Sequence, residues 1–350
     1  MQPSDTSAGS DHERFMRRAI ELARNGAGHV SPNPLVGCVI VHRGRIVSEG
    51  WHKRYGGPHA EVEAVQNLRD RSILHECSLY VNLEPCSHTG KTPPCADMII
   101  RHGIGEVVFA NEDPNPLVAG NGARKLRDAG IRVTSNVLSG EGYTLNKRFF
   151  TYMKKRRPFV ILKWAETADG FIARENFDSK WISDEYSRRL VHKWRTEEDS
   201  VLVGRKTAEH DNPMLNVRGW TGRNPVRIVI DRNLKLGTNL HLFDGTQRTI
   251  CYNTIKDEER TNVQYIRIDE AAFTDALLDN LFSQGIQSVI VEGGQQILQS
   301  FIESGLWDEA RIFISPKTFE KGVKAPVIRG RLRSETKLAD DWLKIIEPSE

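Results

Sequence analysis

The stretch PHAEVEAV, Pro58 to Val65, sets a histidine two residues before a glutamate, behind a proline and at the head of a run with helical apolar spacing. Alone, His59-x-Glu61 describes a solvated helix start as well as it describes a metal ligand with an acid beside it. The second stretch that decides between them is LEPCSHTGKTPPC, Leu83 to Cys95. It places Cys86 just after a strand-like run and Cys95 at the start of a helix-like one. Backbone amides there carry partial positive charge and favour thiolate, the form that binds zinc. His59, Cys86 and Cys95 make three ligands, and three protein ligands mark catalytic rather than structural zinc. Glu61 then reads as the group that moves protons. A closed structural site would draw a fourth ligand from Cys77, His88 or His52, but no C-x2-C pair exists. Cys38 and Cys251 read as small buried hydrophobes.

Working outward, HERFMRRAIELARNG predicts a helix that stops at Asn25-Gly26, and LVGCVIVHRGRIVSEGW predicts two strands joined at Arg43-Gly44. A helix from His59, the strand SLYVNLEP, a helix from Cys95, the strand EVVFANED, the helix ARKLRDAG and the strand IRVTSNV follow. This alternation predicts an α/β layered domain over 11–145. LNKRFFTYMKKRRP reads as a last helix plus a joint, 146–157, and from 158 to 350 strands and helices alternate again.

A chain of 350 residues exceeds one ordinary core, so two domains are expected. The net charge of +3, from 49 basic and 46 acidic residues, is too balanced for a nucleic-acid groove and argues against a nucleic-acid partner. No run approaches the roughly 20 apolar residues of a membrane span. With a polar start and five cysteines, the expected setting is cytoplasmic, with thiols rather than disulfides.

The H-x-E and proline-cysteine elements match the zinc deaminase pattern, except that eight residues rather than two separate the cysteines. Together HAEVEAV, LEPCSHTGKTPPC, SPNPLVGCVIV and EDPNPLVAG closely resemble the bifunctional riboflavin-biosynthesis deaminase-reductase family, whose cysteine spacing carries this insertion. The resemblance implies an α/β fold of two three-layer domains, the first cytidine-deaminase-like and the second dihydrofolate-reductase-like. The implied first reaction is zinc-dependent hydrolytic loss of the exocyclic amine from a phosphoribosylaminopyrimidine, giving the aminouracil. In it Glu61 protonates the ring nitrogen and then the departing amine. Asn33, His52, His88, Lys91 and Asn115 fall at positions that line this pocket in the family, and Lys91 and the histidines suit a phosphorylated ligand.

From Phe159 onward LKWAETADG, SKWIS, VGRKTAEHDNPMLNVR, VRIVID and VEGG resemble the reductase half, which uses NADPH to turn the ribosyl group into ribityl. No Rossmann G-x-G-x-x-G is present. What SVIVEGGQQIL offers is a buried-type strand running through two glycines into a helix, which lets backbone approach a phosphate. With the neighbouring motifs, Gly293, Gly294, Gln295, Gln296 and Ile297 become cofactor candidates, joined by Ala165, Trp181, Thr207 and Asp211. Ser179, Arg195, Leu215, Arg218 and Glu292 match substrate positions, the two arginines suiting a phosphate. Lys163 is a candidate contact near the reacting carbon, and Asp169 reads as opening a turn with Gly170. Two departures stand out: ARENFDSKW lacks the glycine usual before the Ser-x-Trp element, and His210 stands where alanine is common.

Two other readings compete. A nucleic-acid base deaminase is disfavoured by the near-neutral charge and the second domain. A zinc-stabilised scaffold is disfavoured by Glu61, since a structural site has no use for a proton shuttle. The family resemblance also implies a homo-oligomer.

Overall fold

In the first half of the chain the alternation of GCVIVH settles the layering, because successive strand residues face opposite sides. The computed structural model describes residues 6–88, 93–115, 119–179 and 182–349, and the chain divides into two units, Met1–Lys155 and Arg156–Glu350. Unit 1 runs α1 (Thr6–Ala23), β1 (Gly37–His42), β2 (Arg45–Trp51), α2 (Ala60–Asn67), β3 (Cys77–Leu83), α3 (Cys95–Arg101), β4 (Glu106–Asn111), α4 (Asn121–Asp128), β5 (Arg132–Thr134), α5 (Ser139–Leu145) and α6 (Lys147–Lys155). Its five described strands are ordered β2-β1-β3-β4-β5. β1 is antiparallel to β2 and β3, while β3, β4 and β5 are parallel.

Cys38 and Ile40 of β1 face Ala60, Ala64, Ile99 and Leu126 of α2, α3 and α4, together with Leu79, Val107 and Phe109. Val39 and Val41 face the other way, onto Phe15, Met16, Ala19 and Ile20 of α1. The result is helix, sheet, helix. Phe149 and Phe150 of α6 pack against Leu83.

Unit 2 runs β6 (Phe159–Thr167), β7 (Phe171–Ala173), α7 (Glu185–Glu197), β8 (Ser200–Gly204), α8 (Arg205–Asp211), β9 (Val226–Ile230), β10 (Thr249–Asn253), β11 (Glu258–Arg260), β12 (Val263–Arg267), α9 (Phe273–Ser283), β13 (Ser288–Val291), α10 (Gln295–Glu303), β14 (Glu309–Ser315), β15 (Val323–Lys324), β16 (Arg331–Leu338) and β17 (Asp341–Glu347). Ten of the described strands form one sheet, ordered β11-β12-β10-β9-β8-β13-β6-β14-β17-β16. The stretch from β12 to β14 is parallel throughout. Val160, Leu162, Val289 and Val291 meet α9 and α10 on one face, and Phe159, Ile161, Val201 and Ile290 meet α7 and α8 on the other. Among the described residues no helix is long and apolar enough to cross a membrane.

The carboxyl ends of β6, β8, β9 and β13 converge. Open parallel sheets bind ligands at that edge.

Candidate active sites

In unit 1 three element ends bring the first site together. His59 is the N-cap residue of α2 in extended backbone, Cys95 is the first residue of α3, and Cys86 follows β3. His59 Nδ1 lies 3.6 Å from Cys86 Sγ and 3.3 Å from Cys95 Sγ. The three donor atoms lie within 4.8 Å of one another. Zinc at tetrahedral angles, with bonds of about 2.3 Å to sulfur and 2.05 Å to nitrogen, requires N···S separations of about 3.6 Å. The donor set fits the ion.

Electrostatics agree with that fit. The Cys95 backbone N–H donates to Cys86 Sγ at 3.3 Å, so the start of α3 stabilises a thiolate as its sequence position predicts. Hydrogen bonding with the Cys95 thiol, and then with His59, pulls the Cys86 thiol down to about 4. The Cys86 side chain in turn raises His59 to about 8, and the Cys95 thiol is pushed up by its bond to Cys86 and by burial. Cys86 is thus held as the thiolate of the cluster, with Cys95 and His59 as its hydrogen-bonding neighbours.

Glu61 is 3% exposed, and its carboxyl group is hydrogen-bonded to the Cys95 thiol. Burial raises its pKa, which favours a carboxyl that gives a proton back after taking one. Behind His59 stands His52, its ring centre 5.7 Å away. The His52 ring pairs through Nε2 with Asn33 Nδ2 at 3.0 Å and through Nδ1 with the Pro58 carbonyl at 2.8 Å. Thus Asn33, His52, His59, Glu61, Cys86 and Cys95 form one neighbourhood. Asn115 lies beyond β4, its N–H donating to Asp113 Oδ1 at 2.8 Å. His88 is exposed, and Lys91 lies outside the described residues. Cys77 donates to the Ile73 carbonyl within the core, so it is no fourth ligand.

Sequence reading missed Glu84 and Asp113. The Glu84 carboxylate is 3% exposed and accepts backbone N–H bonds from Asp113, Gly120 and Ala123 at 3.2, 3.0 and 2.9 Å. It thereby ties the β3 end that leads to Cys86 to both the β4 loop and α4. Burial, reinforced by the Glu84 charge, pushes Asp113 up to about 7. Gly122 of α4 crosses this strand end so closely that a Cβ there would lie 2.0 Å from the Pro85 carbonyl oxygen.

Unit 2 holds a cavity of about 830 Å³ at the carboxyl edge of its sheet. Lys163 and Ala165 line it from β6, Thr207 and Asp211 from α8, and Arg195 from α7. Glu292, Gly293 and Gly294 after β13 lead to Gln295, Gln296 and Ile297 at the start of α10, all on the cavity wall with Ser179, Leu215 and Arg218. Gly293 has φ +132°, a conformation that a side chain would strain, and a Cβ on Gly294 would lie 3.2 Å from Thr207 Oγ1. Gly294 caps α10 without a side-chain hydrogen bond, so a phosphate can approach backbone N–H groups there. These residues fit a dinucleotide. Trp181 lies outside the described residues. Asp169 accepts from Thr167 Oγ1 and from the Phe319 and Glu320 N–H groups, a turn-forming role.

Arg195 is engaged within the protein. Its Nε and Nη2 hold both Glu292 oxygens at 2.8 and 2.7 Å, and Nη1 donates to the Asn216 carbonyl. Lys163 Nζ lies 3.9 Å from the same carboxylate. Burial alone would raise Glu292, but the Arg195 and Lys163 charges hold it at about 2. Burial in turn lowers Lys163. Arg195 is thus paired with Glu292, and Arg218 and Arg232 are exposed arginines on the cavity wall. His192, three residues before Arg195 on the same helix face, also lines the cavity, and its Nδ1 accepts the Arg218 N–H at 3.4 Å.

Comparison with known proteins divides the chain in the same way. The family described as the cytidine and deoxycytidylate deaminase zinc-binding region matches residues 9–111, and the RibD C-terminal domain matches residues 158–341. Fold and sites thus define a zinc-type deaminase and a reductase carried on one chain. Among relatives, the riboflavin biosynthesis protein RibD of Actinobacillus pleuropneumoniae is 41% identical over 326 residues, covering 89% of this chain and 86% of that one. The Aquifex aeolicus RibD is 40% identical over 318 residues, covering 89% and 88%. A Thermotoga maritima diaminohydroxyphosphoribosylaminopyrimidine deaminase/5-amino-6-(5-phosphoribosylamino)uracil reductase superposes with a TM-score of 0.90 at 39% identity, covering 98% of this chain and 100% of that one. Acinetobacter baumannii RibD gives a TM-score of 0.90 at 31% identity with the same coverage. The chain belongs to the RibD family of riboflavin biosynthesis proteins. It is a bifunctional deaminase and reductase, with zinc and NADPH as cofactors.

Proposed function

We propose that unit 1 deaminates a phosphoribosylaminopyrimidine to the aminouracil, and that unit 2 reduces the ribosyl group of that product to ribityl. His59, Cys86 and Cys95 would hold the zinc, which when bound activates water as a Lewis acid. Glu61 takes one proton of the attacking water and passes it to the ring nitrogen, then takes the remaining hydroxyl proton of the adduct and gives it to the leaving amine, so that the C–N bond breaks, ammonia departs and the carbonyl forms. Asn33 and His52 fix one wall of the pocket, with Asn115, His88 and Lys91 as further pyrimidine or phosphate contacts.

In unit 2 NADPH supplies the hydride. Ala165, Trp181, Thr207, Asp211 and the Gly293 to Ile297 turn form its cradle. Lys163 faces the reacting sugar carbon from the sheet. Glu292, held by Arg195, orients Lys163, while Ser179, Leu215 and Arg218 take the rest of the substrate and Arg218 its phosphate.

One observation supports the deaminase reading above all: a buried carboxyl group, Glu61, bonded to one member of a three-donor metal cluster. A scaffold has no use for it. Replacing Glu61 by Gln should abolish ammonia release while zinc content stays near one per chain. Normal deamination by that variant would overturn the mechanism.

The setting proposed is cytoplasmic, which the absence of a membrane-crossing helix among the described residues allows. A homo-oligomer is supported by β16, an edge strand exposed over nearly its whole length, and by half-exposed Leu332 and Trp342. Light scattering that gives the mass of one chain would refute it.

A further inference from the structure

Phe177, in the ARENFDSKW stretch that lacks the family's usual glycine, and His210, the other departure, meet in space. The rings of Phe177 and His210 stack with centres 4.8 Å apart and planes 13° apart, and Lys206 Nζ lies 5.9 Å from the Phe177 ring centre. Phe177 has φ +65° and is 41% exposed, so its backbone is held in a conformation that a bulky residue rarely adopts without a fixed partner.

Segment 174–178 is exposed throughout. Its internal bonds are those of a tight turn: Phe177 N–H to the Arg174 carbonyl at 2.9 Å and Arg174 N–H to the Asp178 carbonyl at 3.0 Å. Such bonds shape the turn without placing it. At its start Arg174 lies over the Phe319 ring, 4.1 Å from the centre, and against α8 it is placed by the Phe177–His210 stack and by Ser179 Oγ, which donates to Asp211 Oδ2 at 3.2 Å. Phe177, His210, Ser179 and Asp211 all line the reductase cavity, and His210 lies one helical turn beyond Thr207, whose hydroxyl would lie 3.2 Å from a Cβ on Gly294.

We propose that the Phe177–His210 stack is a cofactor-positioning element: it seats segment 174–179 on α8, so that the wall carrying Ser179, Thr207 and Asp211 is formed before the nicotinamide dinucleotide arrives. Preforming a wall removes an ordering cost that binding would otherwise bear. The stack acts on how tightly the cofactor is held and not on hydride transfer. The proposal rests on the reading of unit 2 as an NADPH-dependent reductase.

An aromatic pair of this geometry is worth about two- to twelvefold in an equilibrium constant. In the zinc-loaded full chain, Phe177→Ala should therefore raise the NADPH dissociation constant, read by nucleotide fluorescence, and the NADPH KM within that range, with kcat little changed. His210→Ala should match it, the double variant should be no worse than either single one, and His210→Phe should restore binding. Because Phe177 is exposed, its truncation does not threaten the core, and ammonia release by unit 1 of the same preparation reports the integrity of the protein. Unchanged NADPH affinity in both single variants, or effects that multiply in the double variant, would overturn the proposal while leaving the reductase reading intact. Wild-type protein that neither binds nor oxidises NADPH would overturn both.

Discussion

Replacing Gly122 by Ala tests whether the zinc site depends on how closely α4 crosses the chain just before Cys86. A Cβ at this position would lie 2.0 Å from the Pro85 carbonyl oxygen and 3.2 Å from Glu84 Oε1. Contacts below 3.0 Å do not persist. Backbone must therefore move by at least about 1 Å, since no rotamer relieves a clash with a main-chain oxygen. Either α4 lifts, stretching the Glu84 bonds to Gly120 and Ala123, or the Pro85-Cys86 peptide retreats and carries a ligand with it. A shift of about 1 Å is large beside a zinc–sulfur bond of about 2.3 Å and the tolerance of about 0.2 Å that such sites allow. Overpacking of this kind costs about 1–3 kcal/mol. The assay is zinc per chain after dialysis against a weak chelator, with ammonia release and the melting temperature measured on the same sample. Gly122→Ala should lose most of its zinc and its deaminase activity, while NADPH oxidation on pre-deaminated substrate continues. Full zinc, full activity and an unchanged melt would refute the packing argument.

Three further outcomes are expected. A strong chelator should stop ammonia release but leave reduction of the deaminated substrate unaffected, as separate product assays would show; parallel loss of both would contradict two chemically separate sites. Arg195→Met removes both hydrogen bonds to the buried Glu292 carboxylate and leaves it Lys163 alone at 3.9 Å, which should cost up to about 3–5 kcal/mol and at least tenfold in reductase kcat, measured by thermal unfolding and NADPH oxidation; a variant of unchanged stability would contradict the pairing. Asp113, raised from 3.8 to about 7, binds more protons folded than unfolded between those values, so it should weaken the fold as pH rises through that window. Asp113→Asn should thus gain on the wild type by up to about 4 kcal/mol between pH 4 and pH 8. Melting curves that stay parallel across this range would show that Asp113 is not perturbed.

What sequence reveals here tracks the range of the interaction that defines each feature. The hairpin at Arg43-Gly44, the helix opening at His59 and the alternation of strands and helices in unit 2 follow from local period and turn residues, and each stands where the pattern puts it. The metal cluster was legible because few residue types bind zinc and few backbone positions favour thiolate. The β16–β17 hairpin was not, since Arg331, Arg333, Glu335 and Lys337 leave β16 no apolar period to read. Helix α8 escaped because seven residues with only Ala208 buried carry almost no pattern. Glu84 was invisible for a different reason: its partners are main-chain amides, which have no letter in the sequence. The engagement of Arg195 by Glu292 spans 97 positions, and no local rule reaches that far.

The three amides gathered by Glu84 carry a mechanical implication. One carboxylate fastens the strand that delivers a thiol of the metal cluster to the loop that bears Asn115, so the ion and the proposed pyrimidine contact share a single hinge pin. Stripping the metal should then be felt at the substrate's far edge, and a pyrimidine pressing on that loop should in turn stiffen the grip on the ion.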